Sequence, residues 1–243
     1  MKKIEFESLP STSLYIKENI TSIENNVYVI AKEQTNGRGR TGNSWVSSKE
    51  NLMFSFKINP DKIAVNDYPL ITLLTGLAVR NTLAYISDCE EILIKWPNDI
   101  ICNDKKICGI IAEGIFNDTN FVIIGIGINV NQVDICDELK NKASSLKLIF
   151  KKDFDKDAIL EKFDEEFKLL YKRLEEKDKS FIDQLNKYNY LKEKEIVINN
   201  EEYQNKSFVC LKINKNGNLV LRDEKNNLFE INSNEVSLKN NYK

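Results

Sequence analysis

The chain has 243 residues, with 35 basic side chains against 37 acidic ones and no histidine. That length holds one large domain and a smaller one, and a composition of 42% hydrophobic and 30% charged residues describes a soluble globular protein rather than a disordered chain. The near-neutral balance gives no global basic field for nucleic acid, and the missing histidine removes Ser-His-Asp and Cys-His nucleophiles, HExxH metal sites and histidine proton shuttles.

What remains for chemistry is Arg, Lys, carboxylates and backbone amides. That inventory suits reactions at phosphate, where charge stabilisation outweighs proton transfer. The first residues carry two lysines but turn acidic at once with no apolar run behind them, unlike a signal peptide. The apolar stretches at 70–86 and 121–128 are too short or too interrupted to span a bilayer, so the expected location is cytoplasmic with no membrane partner. Five cysteines, odd in number and without CxxC spacing, read as reduced thiols rather than a disulfide framework or zinc site.

In chain order, residues 12–19 read as a short helix and 27–32 and 52–58 as strands. Residues 70–86 read as a helix apolar nearly all round, and 92–96, 107–113 and 121–128 as further strands of one sheet. From Asp157 to Leu174 apolar residues recur at helical spacing, predicting a long amphipathic helix that closes the core, and a second helical segment runs from about Ser180 to Leu191. After Lys192, short alternating runs at 195–199, 207–213, 218–222 and 227–231, with Asn216-Gly217 between two of them, predict a small all-β module shaped as a compact barrel.

Three segments carry chemical signal. The first, Gly37-Arg38-Gly39-Arg40-Thr41-Gly42, packs three glycines and two arginines into six residues, so backbone amides and guanidinium forks can converge on an anion. Its GxGxxG spacing fits a Rossmann loop poorly, because the chain runs on into a strand rather than a helix, and a kinase is excluded by the missing HRD histidine. Trp45 either anchors this loop or stacks on a base. The second, Lys95-Trp96-Pro97-Asn98-Asp99, puts polar side chains at a strand end, and simple alternation in the following strand puts Lys106 on one face with Cys108 and Ile110. The third, Gly125-Ile126-Gly127-Ile128-Asn129, aligns Gly125, Gly127 and Asn129 on one face, which fits a ligand groove and a closely packed helix equally.

Taken together, GRGRTGNSW, KWPND, KKICGI and GIGIN, in this order and spacing, resemble the catalytic domain of biotin protein ligases, and the resemblance covers nearly the whole chain. It implies an α+β fold, a mixed sheet flanked by helices related to class II aminoacyl-tRNA synthetases (residues 1–190), followed by a small SH3-like β-barrel (191–243). It also implies a biotin site at Ser11, Thr12, Ser13, Gln34, Gly37, Arg38, Gly39, Arg40, Lys106, Gly109 and Gly127. The ATP side falls to Arg40, Trp45, Asn98, Asp99, Lys106 and Asn129, with Arg38, Arg40, Lys106 and Asp99 as the catalytic set. Ser13 stands where the family motif has asparagine.

The implied activity uses ATP, with Mg²⁺ carried by the nucleotide and no dedicated metal site, to form biotinyl-5′-AMP. The biotin then passes to a lysine of a biotin carboxyl carrier domain. The family's motifs start within about a dozen residues of Met1, so no DNA-binding module and no operator binding are expected, while pairing into a homodimer is compatible with the family. A lipoate protein ligase is the nearest alternative enzyme, and a non-enzymatic biotin-binding sensor is the alternative from another class.

Overall fold

The computed structural model describes residues 1–116, 119–199, 206–233 and 237–238. Seven strands form the main sheet: β1 (Lys2–Leu9), β2 (Val27–Gln34), β3 (Leu52–Ile58), β4 (Leu93–Lys95), β5 (Asp99–Cys102), β6 (Lys105–Phe116) and β7 (Asn120–Ile128). Their order is β1-β2-β3-β7-β6-β5-β4. β1 runs parallel to β2 and the other neighbours are antiparallel, so the sheet is mixed, as expected.

The period-2 pattern of β3 explains how the sheet divides the molecule. Leu52, Phe54, Phe56 and Ile58 enter the main core, while Met53, Ser55 and Lys57 point to the opposite face. On the core face lie α2 (Tyr68–Ser87) and α4 (Lys156–Glu175). Helix α2 is apolar round most of its circumference because most of it is buried, Tyr85 being exposed. Its hydroxyls, Thr75, Thr82 and Ser87, each donate to the carbonyl four residues earlier at 2.6–2.8 Å, and Arg80 is capped by the carbonyls of Glu90 and Ile92. Helix α4 is amphipathic, and its Phe163 and Phe167 pack edge-on against Phe54 and Phe56. On the opposite face α1 (Thr12–Glu18) covers only part of the sheet, over a small cluster of Ile16, Ile23, Val27, Val29 and Ile123. The uncovered part of that face holds the pocket described below.

Several elements depart from the sequence reading. β1 is a mostly exposed edge strand that was not among the expected strands, with only Ile4, Phe6 and Leu9 apolar among its lysines and glutamates. β5 (Asp99–Cys102) had no counterpart among the expected strands, and α3 (Leu146–Phe150) is a single short turn capped by Ser145. α5 (Phe181–Lys187) ends four residues early, because Tyr188 and Tyr190 leave the helix to bond the backbone of Ile94 at 2.8 Å, covering the free edge of β4.

The most consequential departure is in β6. Asp99 and Ile100 pair with Gly109 and Cys108, but Ile101 pairs with Lys106, so Ile107 is a bulge residue with no partner in the ladder. A bulge shifts the alternation by one. Lys106 therefore does not share a face with Cys108 and Ile110, which are buried in the core; it lies with Gly109, whose added Cβ would sit 3.1 Å from the Lys106 ammonium.

The C-terminal strands β8 (Glu195–Asn199), β9 (Ser207–Ile213), β10 (Leu219–Arg222), β11 (Leu228–Ile231) and β12 (Ser237–Leu238) form a second, antiparallel sheet in the order β11-β10-β9-β8-β12. Residues 234–236 lie outside the described residues. This sheet docks through the β9–β10 turn. Gly217, at φ +84°, leaves 3.0 Å between its Cβ position and the side chains of Leu70 and Leu73, and its carbonyl accepts a 3.0 Å bond from the Trp96 indole.

Candidate functional site

A pocket of about 850 Å³ opens on the α1 face of the main sheet, large enough for a drug-sized ligand. One end is a cluster of hydroxyls. Ser11 caps α1, and its oxygen lies 3.0 Å from that of Ser13. The Thr12 backbone N–H (2.8 Å) and its hydroxyl (3.1 Å) both donate to Gln34 Oε1, and the Thr12 hydroxyl lies 2.7 Å from that of Ser55. Ser55 was not singled out in the sequence. Its signal was faint: it is the small polar residue on the outward face of a strand otherwise made of large side chains. Gly125, its partner on β7, keeps the cluster open, since a Cβ there would meet Ile111 at 2.9 Å and Ser55 Oγ at 3.2 Å.

The glycine-arginine segment forms a small ordered hairpin. Trp45 N–H bonds the Gly37 carbonyl at 2.9 Å, Arg38 bridges Ser44, Gly39 N–H bonds the Asn43 carbonyl at 2.8 Å, and a 3-10 turn runs Arg40–Gly42. The hairpin lays the Trp45 indole over the sheet, where a Cβ on Gly127 would approach the ring at 2.5 Å and one on Gly109 at 2.9 Å. The glycine-lined face of β7 thus holds a groove and an indole at Gly127, while at Gly125 it lies close to Ser13 of α1, 3.8 Å from the Cβ position. Trp45 Nε1 is buried with no hydrogen-bond partner among the described residues.

Beyond the indole lies the cationic end. Lys106 Nζ pairs with Asp99 Oδ1 at 2.7 Å, and lies 5.4 Å from the centroid of the Trp45 ring. Lys95, named in the second segment but given no role there, is 9% exposed and lines the same pocket; burial lowers its pKa, Asp99 opposes that shift and Lys106 adds to it. Arg40 donates to Asn98 Oδ1 at 3.3 Å and to the Ser233 carbonyl of the second sheet. Asn98 and Asn129 hold the frame: Asn98 Nδ2 donates to the Ile110 carbonyl at 2.8 Å, and Asn129 donates to the Ser144 carbonyl at 2.9 Å while accepting from Asn51.

Ser11, Thr12, Ser13, Gln34, Arg38, Gly39, Arg40, Trp45, Asn98, Asp99, Lys106, Gly109, Gly127 and Asn129 therefore converge on one cavity, with Arg38 exposed at its rim. Gly37 does not line it. It is buried beneath the hairpin, where a Cβ would sit 2.5 Å from the Trp45 carbonyl oxygen, so its place is structural. A wall from Gln132 to Ala143, including Ile135 and Leu139, closes the cationic end and left no recognisable motif in the sequence.

This arrangement is one elongated pocket, lined by hydroxyls and the Gln34 amide at one end and by Lys95, Lys106 and Arg40 at the other, across a glycine floor. Comparison with known proteins identifies the family. Residues 5–130 match the model of the Biotin/lipoate A/B protein ligase family, and the chain belongs to that family. Among curated proteins it is similar to the Bifunctional ligase/repressor BirA of Bacillus spizizenii, 39% identical over 138 residues, which is 55% of this chain and 42% of that protein. It is also similar to the Biotin--[acetyl-CoA-carboxylase] ligase of Mycobacterium tuberculosis, 33% identical over 123 residues, 49% of this chain and 44% of the relative. The matched segment thus spans less than half the length of these relatives. Among solved structures, a biotin protein ligase from Aquifex aeolicus in complex with biotin and ATP is similar with a TM-score of 0.88 and 30% identity, covering 98% of both chains.

Proposed function

We propose that the chain is an ATP-dependent biotin protein ligase. The observation that carries this reading is the continuity of one pocket from the Ser11-Thr12-Ser13-Gln34 hydroxyl end to the Lys106-Arg40 cationic end. A compact hydrogen-bonding head such as a cyclic urea suits the first end, and a carboxylate meeting a phosphate suits the second.

In the reaction, the biotin carboxylate attacks the α-phosphorus of ATP in line. A new C–O–P linkage forms, the bond to the β-phosphate oxygen breaks, and biotinyl-5′-AMP and pyrophosphate result. Bringing two anions together is the main obstacle. Lys106, Arg40 and the rim Arg38 offset that repulsion and stabilise charge on the phosphoryl oxygens. Asn98 and Asn129 fix the floor beneath them, and Trp45 covers the groove. Mg²⁺ would arrive with the nucleotide and neutralise charge on its phosphates without a dedicated protein site, while Asp99 holds the Lys106 ammonium at the anionic end. An acceptor lysine amine then attacks the carbonyl of the anhydride, forming the amide and releasing AMP, with no covalent enzyme intermediate.

The acceptor in this reading is a biotin carboxyl carrier domain, and the setting is the reducing cytoplasm. The division into a catalytic domain at 1–190 and an SH3-like barrel at 191–243 is part of the same proposal; the docked antiparallel sheet at the C-terminus supports it. Incubating the protein with biotin, ATP, magnesium and a purified carrier domain tests it by mass spectrometry. One biotin added to the carrier lysine is expected; labelling by lipoate in its place would move the chain to the sister activity.

A further inference from the structure

Lys95 has no task in the reaction as written above, yet it is a buried cation on the wall of the pocket. β4 and β5 pair antiparallel with Lys95 opposite Asp99. Residues directly opposite on such a pair project to the same face, with Cβ atoms roughly 4.5–5.5 Å apart. The bulge at Ile107 brings Lys106 to that face from the other side, where its ammonium reaches Asp99 Oδ1 at 2.7 Å. Asp99 is therefore flanked by two lysines carried on its two neighbouring strands.

The Asp99 Oδ1 atom is closed off from solvent, and its close contact is the Lys106 ion pair. Arg40 is also within electrostatic reach of Asp99, but its donors are turned to the Asn98 amide and the Ser233 carbonyl. If Lys106 moves to a substrate carboxylate or phosphate, it leaves behind a partly exposed carboxylate whose Oδ1 is shielded, and a charge left there without its partner draws the lysine back. We propose that Lys95 is a positioning residue, the second cation that holds Asp99 when Lys106 swings from that carboxylate to the anionic substrates. In its absence Asp99 competes with substrate for Lys106. This inference rests on the reading of the cationic end as a nucleotide and carboxylate site.

The test is a double-mutant cycle on the full chain, with the affinity for magnesium ATP measured by calorimetry for wild type, Lys95→Met, Asp99→Asn and the double variant. Lys95→Met is expected to weaken binding by at least about tenfold in the wild-type background and by less than about twofold in the Asp99→Asn background. Lys95→Arg, which keeps the charge, should stay within about threefold of wild type, and thermal midpoints identify any variant that misfolds, for which Lys95→Gln serves in the same cycle. Equal losses in the two backgrounds, or no loss in either, overturn the proposal, because a lysine that merely packs the wall shows no coupling to Asp99. Biotin-dependent pyrophosphate exchange by the wild type is measured alongside. Coupling without exchange would overturn the ligase reading and leave the role of Lys95 standing, whereas exchange without coupling would overturn the role of Lys95 alone.

Discussion

Gly127 shows how a single missing side chain shapes the site. A Cβ there would meet the Trp45 ring at 2.5 Å, but the ring belongs to a surface hairpin and can yield, unlike a backbone atom. Position 127 is buried on a central strand, so Gly127→Ala is expected to cost folding stability moderately, by about 1–2 kcal/mol, as the ring shifts. Biotin affinity should drop as well, because the indole no longer lies flat in the groove. Urea denaturation and calorimetry separate the two effects, and a large loss of stability with unchanged affinity would contradict this account. At the residue scale much was legible: GRGRTGNSW, KWPND and GIGIN marked most of the pocket because glycine, arginine and Asn-Asp are unusual in strands and at strand ends. Ser55 was not legible, and Lys95, although it opens KWPND, was given no role, since a serine inside a buried strand and a lysine before a tryptophan are commonplace until their neighbours are known.

Among the elements, strands β2, β3 and β7 and helices α2 and α4 followed their hydrophobic periods, and each was expected where it occurs. The face occupied by Lys106 did not follow. Alternation assumes an unbroken ladder, and the bulge at Ile107 is set by the register between β5 and β6, a relation between strands that one strand's pattern does not contain. Trp96 illustrates the same limit. It sits in the motif that marks the active end, but its ring is 1% exposed and its indole N–H bonds the Gly217 carbonyl, so it ties the second sheet to the first. Trp96→Phe leaves that carbonyl without its buried donor and is expected to cost about 1–3 kcal/mol, seen as a lower urea midpoint with an unchanged slope. A midpoint within error of wild type would show that the contact does not join the sheets.

Across the whole molecule, the sequence expectation of reduced thiols meets a graded set of environments. Cys102 and Cys210 are buried, and burial pushes each thiol up to about 11; Cys108 is pushed up further by the same cause. A raised pKa keeps these three protonated at pH 8, and the thiolate is the reactive form. Cys136 is exposed on the pocket wall and Cys89 is partly exposed. Brief iodoacetamide treatment at pH 8, followed by peptide mass mapping, should label Cys136 first and leave Cys102, Cys108 and Cys210 unmodified in the folded protein. Labelling of those three at the rate of Cys136 would contradict the packing described. Helix α2 makes a related point: it is apolar and long enough to be mistaken for a membrane span, yet most of it is buried between the main sheet and α4.

The most direct test of the account is ATP–pyrophosphate exchange, measured in wild type and Lys106→Ala with biotin and lipoate offered separately. Exchange that depends on biotin, is absent with lipoate and falls by at least about 100-fold in Lys106→Ala, the loss typical for one transition-state contact, is the expected result. Exchange with neither compound, or biotin-dependent exchange undiminished in Lys106→Ala, would contradict it.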